Sequence, residues 1–569
     1  SRRRHTRLVS DWSSDVCSSD LRRYNMTVEG LLLKGNEITG PAAYGVYIGE
    51  NIKSLSFYCF DNIIRSGVLM SFQNSPDTIV DNAGIEGNLL SSRTSSETSV
   101  LLEAIESSLS IGQLEIKNNL MEQNGNLFVF STESKVTLDN TNFNNNRLRE
   151  GSTAIDTRDN STLDLTKFTV QSNIIENDST LIRVSITSQI NSKETNFLDN
   201  ILNNGILISI RMQSMALFTN SHFVNNSDSA SSIKQSKGSL IQLAGEIVSF
   251  LNSRFENNTN LIFVSNTELI LQNITVINLK PVKNIRRLIK AHYTSLDISN
   301  FYVNSELTKS GSDSWFQVFN SKLNVTNLTM ENIKANSGYI FDLVRTQLTI
   351  KDTNIQRCNF EIFGGMIQAI EGRNIQVQDS IFLNINYLIT ATSYNSLTFR
   401  NLTIYQTYFS RESIQIQDAS FIDISAVSIS STQHEGMNSI ISLTEPQDSA
   451  VININRLNIS NVSTMNGALY IKSKFVNLSL TISDSLFEND TSISYAGAVT
   501  IIVMQNIYQP NSLPNKYVIS NSVFKYNQAL EYRSIGGRGG ALYLWSQPES
   551  KILAAYQIIN CTFQENMAA

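Results

Sequence analysis

Two aspartates, Asp352 and Asp379, have the residue type and spacing that come closest to a chemical site. They are 27 residues apart and occupy the same position in consecutive copies of a repeat. Carboxylates stacked in this way could share a proton or hold Ca²⁺. The alternative is that both replace asparagine and accept hydrogen bonds from turn amides. No third ligand accompanies them, so we expect no catalytic residue, no metal and no cofactor.

Other reactive residue types lack the spacing that a site requires. His222, His292 and His434 lie far apart and share no repeat position, which argues against a metal site or a catalytic triad. Cys358 replaces an asparagine of its repeat and is expected to fill a small buried space. The glycine-rich run at 536–540 lacks the Lys-Ser/Thr of a phosphate loop, so we interpret it as a turn.

Composition restricts the class of protein. Of 569 residues, 41% are hydrophobic and 17% charged, which is enough apolar material for a large core. The net charge of −6 argues against a nucleic-acid-binding protein. No stretch of apolar residues is long enough to cross a bilayer. Asparagine is unusually frequent, with 64 copies.

The first 21 residues differ from the remainder. Residues 11–21 and 1–7 back-translate to the two constant parts of a common short-read sequencing adapter. We therefore interpret residues 1–21 as a disordered, adapter-derived segment that is not native. Residues 22–569 would then be an internal fragment of a longer protein.

A repeat of about 27 residues runs through residues 111–569. Each copy has two alternating apolar residues, then Asn or Asp, then a large apolar anchor three residues later, as in VTLDNTNFNNN at 136–146. A second apolar strand follows each copy. Eight anchors are phenylalanine and are expected to stack in the core: Phe143, Phe197, Phe223, Phe255, Phe382, Phe487, Phe524 and Phe563.

Asparagine three residues before the anchor breaks the two-residue alternation and therefore indicates a corner, since asparagine tolerates left-handed backbone. Stacked corner asparagines are expected to form a hydrogen-bonded ladder with their side chains inside. Ten positions belong to it: Asn118, Asn140, Asn220, Asn252, Asn273, Asn300, Asn327, Asn401, Asn521 and Asn560. Four of these begin N-x-S/T sequons (Asn273, Asn327, Asn401, Asn560), and we expect them to be unmodified.

Short strands at this period, without helical stretches, predict a solenoid in which each strand pairs with its equivalent in the next coil. The expected fold is an all-β, right-handed parallel β-helix of about 19 coils. Irregular coils are expected over 22–110 and regular coils over 111–569.

The Asn ladder and coil length resemble the pectin-lyase-like right-handed β-helix. A GGA-type motif combined with F-x-x-N resembles the repeats of polymorphic outer-membrane proteins and of large ciliate surface proteins. The matching residues are Gly539-Gly540-Ala541, Gly467-Ala468, Gly497-Ala498 and the phenylalanine anchors. The resemblance implies an ectodomain displayed at a membrane surface.

The β-helix fold alone does not decide function. An enzyme on an acidic polysaccharide would need acids in one outward column. The positions six and four residues before the anchors place no acids together in adjacent coils. We therefore expect a non-catalytic, secreted or cell-surface ectodomain that acts in adhesion, shielding or ligand presentation. A polysaccharide lyase or hydrolase and a passive spacer remain the alternatives.

Long insertions at 227–239, 305–314 and 528–538 follow the same turn and are expected to cluster on one side. That side would bind carbohydrate or a surface protein. Trp315 and Trp545 follow two of these insertions, and we expect them to pack beneath their loops. Membrane attachment would require segments absent from this sequence.

Overall fold

The fold was analysed in a computed structural model. It describes residues 26–41, 43–49, 52–92, 97–228, 240–259, 261–280, 287–305, 314–335, 338–360, 364–385, 388–406, 412–431, 439–447, 449–474, 477–504, 514–530, 537–547 and 554–569. The proposed adapter segment lies outside these residues, as does most of each predicted insertion. Among the described residues, no helix is long and apolar enough to cross a membrane.

The chain forms a right-handed parallel β-helix with three faces per turn, numbered here in the order in which the repeat meets them. Seven strands run through faces 1 and 2: Met26–Lys34, Ile52–Phe60, Thr78–Glu86, Ser108–Lys117, Glu268–Ile277, Ser295–Asn304 and Lys322–Glu331. Three strands run through faces 3, 1 and 2: Gly365–Leu383, Ile389–Gln406 and Ile414–Ser431.

The remaining strands belong to single faces. Face 1 contains Lys135–Asp139, Thr162–Thr166, Gln189–Lys193, Met215–Thr219, Ile247–Leu251, Gln347–Lys351, Val451–Asn455, Ser479–Ser483, Asn515–Ser520 and Ala554–Ile559. Face 2 contains Thr141–Asn144, Thr169–Gln171, Asn196–Leu198, His222–Val224, Arg254–Glu256, Asn354–Gln356, Asn458–Ser460, Leu486–Glu488, Val523–Lys525 and Thr562–Gln564.

Face 3 contains Tyr44–Ile48, Gly67–Gln73, Ser99–Ile105, Gly125–Ser131, Thr153–Thr157, Thr180–Val184, Ile206–Arg211, Ile241–Ala244, Ile262–Ser265, Ile289–His292, Phe316–Phe319, Tyr339–Val344, Ile441–Thr444, Leu469–Ser473, Val499–Val503 and Leu542–Ser546. Short strands between faces 2 and 3 are Glu37–Ile38, Ile63–Ile64, Leu89–Ser91, Leu120–Glu122, Arg147–Leu148, Ile174–Glu176, Ile201–Asn203, Ser227–Asp228, Lys334–Ala335, Asn359–Phe360, Ser463–Thr464, Thr491–Ser492, Gln528–Ala529 and Met567–Ala568. The coil count differs slightly from the 19 predicted.

Each strand pairs in parallel with its equivalent one turn later, so that side chains of one repeat position form columns. The anchors form one such column inside the rod. Phe197, Phe223 and Phe255 stack with ring centroids 4.7 Å apart, and seven of the eight predicted phenylalanines are at most 2% exposed. Phe563, in the last turn, is 47% exposed. Trp315 is buried in this core and Trp545 is half-buried, while most of the insertion before each of them lies outside the described residues.

The predicted ladder residues lie on the outside, which corrects the sequence interpretation. All ten have positive φ, as expected for corners, but their side chains are exposed. Asn118 also belongs to a different corner, because Ile116 rather than Met121 pairs with Phe143. The four sequon asparagines Asn273, Asn327, Asn401 and Asn560 are therefore exposed too, and the reason for expecting them to be unmodified is removed.

The buried ladder is formed by the last asparagine of F-x-x-N. Asn146 Nδ2 donates to Asn173 Oδ1 at 3.1 Å, and Asn173 Nδ2 donates to Asn200 Oδ1 at 2.9 Å. The same bond links each neighbouring pair in the series Asn36, Asn62, Asn88, Asn119, Asn146, Asn173, Asn200, Asn226 and Asn258, and again links Asn527 to Asn566. These bonds satisfy polar groups inside the turn between faces 2 and 3.

Candidate functional site

The outward side of face 3 carries a group of charged residues, here called the acid–arginine row: Glu103, Asp156, Arg158, Arg183 and Arg211. Strand pairing places them together. Glu103 pairs with Val129, which pairs with Asp156, which in turn pairs with Arg183. Arg158 and Arg211 come two residues after the positions of Asp156 and Ser209 on their turns. The row spans five consecutive turns, or about 19 Å along the axis.

The middle of the row is recessed although its side chains point away from the core, whereas Arg211 at one end is exposed. Asp156 is 4% exposed and Val129, between the two acids, is 2% exposed. Val129 packs with Val68 and Val100 in a small apolar cluster separate from the main core. A buried apolar cluster therefore adjoins the Glu103 end of the row.

Hydrogen bonds position both ends of the row. Ser71 Oγ donates to Glu103 Oε2 at 3.2 Å, and Gln73 Nε2 donates to Ser71 Oγ at 3.3 Å. At the other end, Arg211 Nε donates to Ser209 Oγ at 2.8 Å. These contacts orient the side chains at either end of the row before any ligand is present.

The middle of the row is only partly satisfied. The nearest approach of Arg158 Nη1 to Asp156 Oδ2 is 3.9 Å, which is an ion pair without a close hydrogen bond. Asp156 Oδ1 and Arg183 Nε are buried and have no hydrogen-bond partner. Buried polar atoms without partners are uncommon in folded proteins, so these two groups have hydrogen-bonding capacity left for water or a ligand.

Burial alters the acids of the row. It raises the pKa of Asp156 above its usual range, against the opposing effects of Arg183 and Arg158. It also raises the pKa of Glu103, opposed by the Ser71 hydrogen bond and by Arg158. Both carboxyls therefore remain protonated to higher pH than ordinary acids, which leaves the three arginines less neutralised.

The candidates Asp352 and Asp379 lie on the corner between faces 1 and 2. Asp352 Oδ2 is 4.0 Å from Lys351 Nζ, and Asp379 Oδ1 accepts a hydrogen bond of 2.9 Å from Asn401 Nδ2. Both have positive φ, like the asparagines of the same corner. Over the described ranges, no three His, Cys, Asp or Glu residues are grouped as metal ligands. These contacts fit aspartates that replace corner asparagines.

The row was not predicted from the sequence, because the positions six and four residues before the anchors nearly all lie on face 1. Glu103, Asp156 and Arg183 lie in the second apolar strand of their repeats, which was interpreted only as a core strand. Alignment of VLLEAI, TAIDT and TLIRV on their buried residues would have placed these three side chains in one column. That alignment is the sequence signal that would have predicted the row.

Comparisons with known proteins give a distant structural likeness and no family. No protein-family profile matches the chain, and no curated protein matches it. Among solved structures, a mutant of the PL6-family alginate lyase AlyGC is similar, with 8% sequence identity and a TM-score of 0.25. The match covers 93% of this chain and 97% of that chain. A likeness at this level bears on neither activity nor substrate.

Proposed function

We propose that the chain is a secreted or cell-surface ectodomain that binds an extended anionic glycan along face 3. The observation that carries this proposal is the pair of buried, unpartnered polar atoms, Asp156 Oδ1 and Arg183 Nε, on adjacent turns. A ligand with both hydroxyl and carboxylate groups would satisfy each of them, since the acid accepts from a hydroxyl and the guanidinium donates to a carboxylate.

The shape and chemistry of the row favour a polymer over a small anion. Its turns repeat with the strand spacing of about 4.8 Å, and four of the five carry charged groups, so a chain lying along the axis would meet several of them at regular steps. The small apolar cluster of Val68, Val100 and Val129 is buried beside the Glu103 end of the row and supports the strands there. Such a surface would serve adhesion or ligand presentation without a chemical step.

Cleavage of the same glycan is the second candidate function. Glu103 and Asp156 are two turns apart, about 10 Å along the axis, and burial raises the pKa of each. Carboxyls serve as the general acid and the general base in glycan cleavage, and both of these face a chain laid along the row. Glu103 and Asp156 therefore support the enzymatic alternative, whereas the corner aspartates Asp352 and Asp379 do not.

The test is calorimetric titration with polyuronate oligosaccharides, using their methyl esters as uncharged controls. Saturable binding of the acid form is expected, with at least tenfold loss in Arg183→Gln because a buried charge-assisted hydrogen bond is removed. Arg345→Gln is the matched control, since Arg345 is exposed and pairs with Glu371 elsewhere on the rod. Absence of binding, or equal loss in both variants, would contradict the proposal.

A parallel assay for chain cleavage separates the two functions. Release of new chain ends that is abolished in Glu103→Gln and Asp156→Asn, with binding retained, would establish catalysis. Binding without new chain ends would support the non-catalytic function.

A further inference from the structure

The N-x-S/T sequons are concentrated at the corners of the rod. Thirteen lie in the described residues, and eleven of their asparagines have positive φ: Asn160, Asn177, Asn225, Asn257, Asn273, Asn327, Asn401, Asn461, Asn477, Asn489 and Asn560. No asparagine of the buried ladder begins a sequon. Most N-x-S/T sequons therefore begin at corner asparagines. None begins at a buried-ladder asparagine, where both side-chain amide hydrogens are used in hydrogen bonds.

The amide chemistry differs between the two ladders. In the buried ladder, Asn119 Nδ2 donates to Lys117 O, Ile85 O and Asn146 Oδ1, all within 3.1 Å. At the corner between faces 1 and 2, Asn273 Nδ2 donates at 2.8 Å to Asn252 Oδ1, and Asn327 Nδ2 donates at 2.7 Å to Asn300 Oδ1. Each of these corner amides donates one hydrogen bond, which uses one of its two Nδ2 hydrogens. The second hydrogen remains available for replacement by a sugar.

We propose that Asn273, Asn327 and Asn401 carry N-linked glycans, which makes the corner between faces 1 and 2 a glycosylated edge of the rod. The Nδ2–C1 bond would form as the bond between C1 and the phosphate oxygen of a lipid-diphosphate sugar donor breaks. The lipid diphosphate leaves with the electron pair, and the amide loses one proton. The remaining N–H keeps the ladder bond to the preceding turn.

The geometry of this edge accommodates the sugars. All three asparagines are exposed, and the Thr of each sequon lies on the outer surface of face 2. Asn273 and Asn327 are two turns apart, about 10 Å, with Asn300 between them outside any sequon. This corner does not border face 3, so the glycans would leave the acid–arginine row uncovered.

The proposal rests on the extracytoplasmic location contained in the proposed function. The test is secretion of the full chain, with an added signal peptide and a C-terminal tag containing a reference sequon, from a eukaryotic cell line. Peptide mapping after enzymatic deglycosylation in heavy-oxygen water then reports occupancy at each site. Occupancy at all three asparagines is expected in the secreted, folded protein, together with stepwise loss of mass in N273Q, N327Q and N401Q.

Two comparisons make the result specific to the corner. Tyr302→Thr creates a sequon at Asn300 in the same column, and this site is expected to become occupied. Asn458 lies in a face-2 strand with its Oδ1 buried, so molecules modified there are expected to be retained inside the cell. Secreted protein that is occupied at the reference sequon but empty at the three corner sites would overturn the proposal.

Failure of this proposal and failure of the proposed function are distinguishable. Glycan binding is measured on bacterially produced chain, which carries no N-linked sugar, and occupancy is measured on the secreted chain. Loss of β-sheet signal on glycosylation, reversed by enzymatic deglycosylation, would also contradict the proposal, because the ladder bond is expected to persist.

Discussion

At the scale of single residues, Asp490 is a carboxyl in the buried ladder. Its Oδ1 accepts from the Val462 backbone N–H at 3.3 Å, and its own N–H donates to Asn527 Oδ1 at 3.1 Å. Its Oδ2 is buried without a partner. Burial raises the pKa of Asp490 well above its usual range, so the folded state holds a proton that an exposed aspartate would release.

Asp490→Asn is expected to stabilise the protein at neutral pH by about 1–3 kcal/mol, because it removes the cost of a buried acid and supplies a ladder amide. Below about pH 4 the Asp490 carboxyl is protonated in both the folded and the unfolded wild-type protein. As the pH rises further, through the folded-state pKa, the wild type loses stability because only the unfolded state releases the proton readily. The variant should therefore show a flatter dependence of the urea midpoint on pH between 4 and 8. The exposed corner variant Asp484→Asn is the control. An Asp490→Asn protein with the wild-type pH slope would contradict this interpretation.

A second consequence of burial concerns the acids of face 3. Because the pKa values of Glu103 and Asp156 are raised, the row gains negative charge as pH rises through those values. Affinity for a polyuronate is therefore expected to be highest at acid pH, where the sugar carboxylates are still ionised, and to fall several-fold towards neutrality. The double variant Glu103→Gln with Asp156→Asn should bind with little pH dependence. An affinity that rises with pH in the wild type would exclude an anionic ligand at this row.

At the scale of elements, the two ladders differ in energetic importance. The side chain of Asn173 makes five hydrogen bonds: its Nδ2 donates to Phe143 O, Gln171 O and Asn200 Oδ1, and its Oδ1 accepts from the backbone N–H and Nδ2 of Asn146. Asn300 makes only exposed bonds to Asn273 and Asn327. The buried asparagine satisfies groups that water cannot reach.

Asn173→Ala is accordingly expected to lower the free energy of unfolding by about 3 kcal/mol, since it leaves buried donors and acceptors without partners. Asn300→Gly keeps the left-handed corner and should cost well under 1 kcal/mol. Urea denaturation of both variants, followed by intrinsic fluorescence, checks the difference. Equal losses in the free energy of unfolding would mean that the left-handed corner conformation, rather than the buried amide hydrogen bonds, contributes most of the stability of the turns.

The fold was predictable from sequence because the anchor and the apolar pair recur with the coil period. The ladder was only half predictable. Asparagine occurs both three residues before and three residues after Phe143, at Asn140 and Asn146, and both columns recur. Asn140 itself has positive φ and projects outward, whereas Asn146 follows the left-handed Asn145 and points inward. Composition and spacing do not distinguish these two geometries.

At the scale of the whole molecule, the stacked turns convert sequence-distant residues into one surface. Glu103 and Arg211 are 108 positions apart in sequence but separated by only four turns. Insertions of variable length between faces 2 and 3 shift the spacing from an anchor to the next face-3 strand. The central pair is not affected by this shift, since Asp156 and Arg183 each lie 13 residues after their anchors, Phe143 and Val170. Glu103 lies 18 residues after Ile85, the equivalent of these anchors, so spacing from the anchors aligns Asp156 with Arg183 but not with Glu103.

The rod also implies a specific dependence of binding on ligand length. The row from Glu103 to Arg211 extends about 19 Å, and sugars in an extended chain advance by a distance similar to one turn. Affinity for polyuronates is expected to rise with each added sugar until the chain spans the row, at about four to five units, and then to level off.

Arg211→Gln provides the internal check on this dependence, because Arg211 lies at one end of the row and hydrogen-bonds Ser209, while its charge acts on Asp156 and Arg183 only through space. It should weaken long oligosaccharides several-fold and leave disaccharides unaffected, whereas Arg183→Gln should weaken both. Titration of a length series against the three proteins measures this. An affinity independent of length would place the ligand in a single-sugar pocket, and a chain laid along the stacked turns would then be excluded.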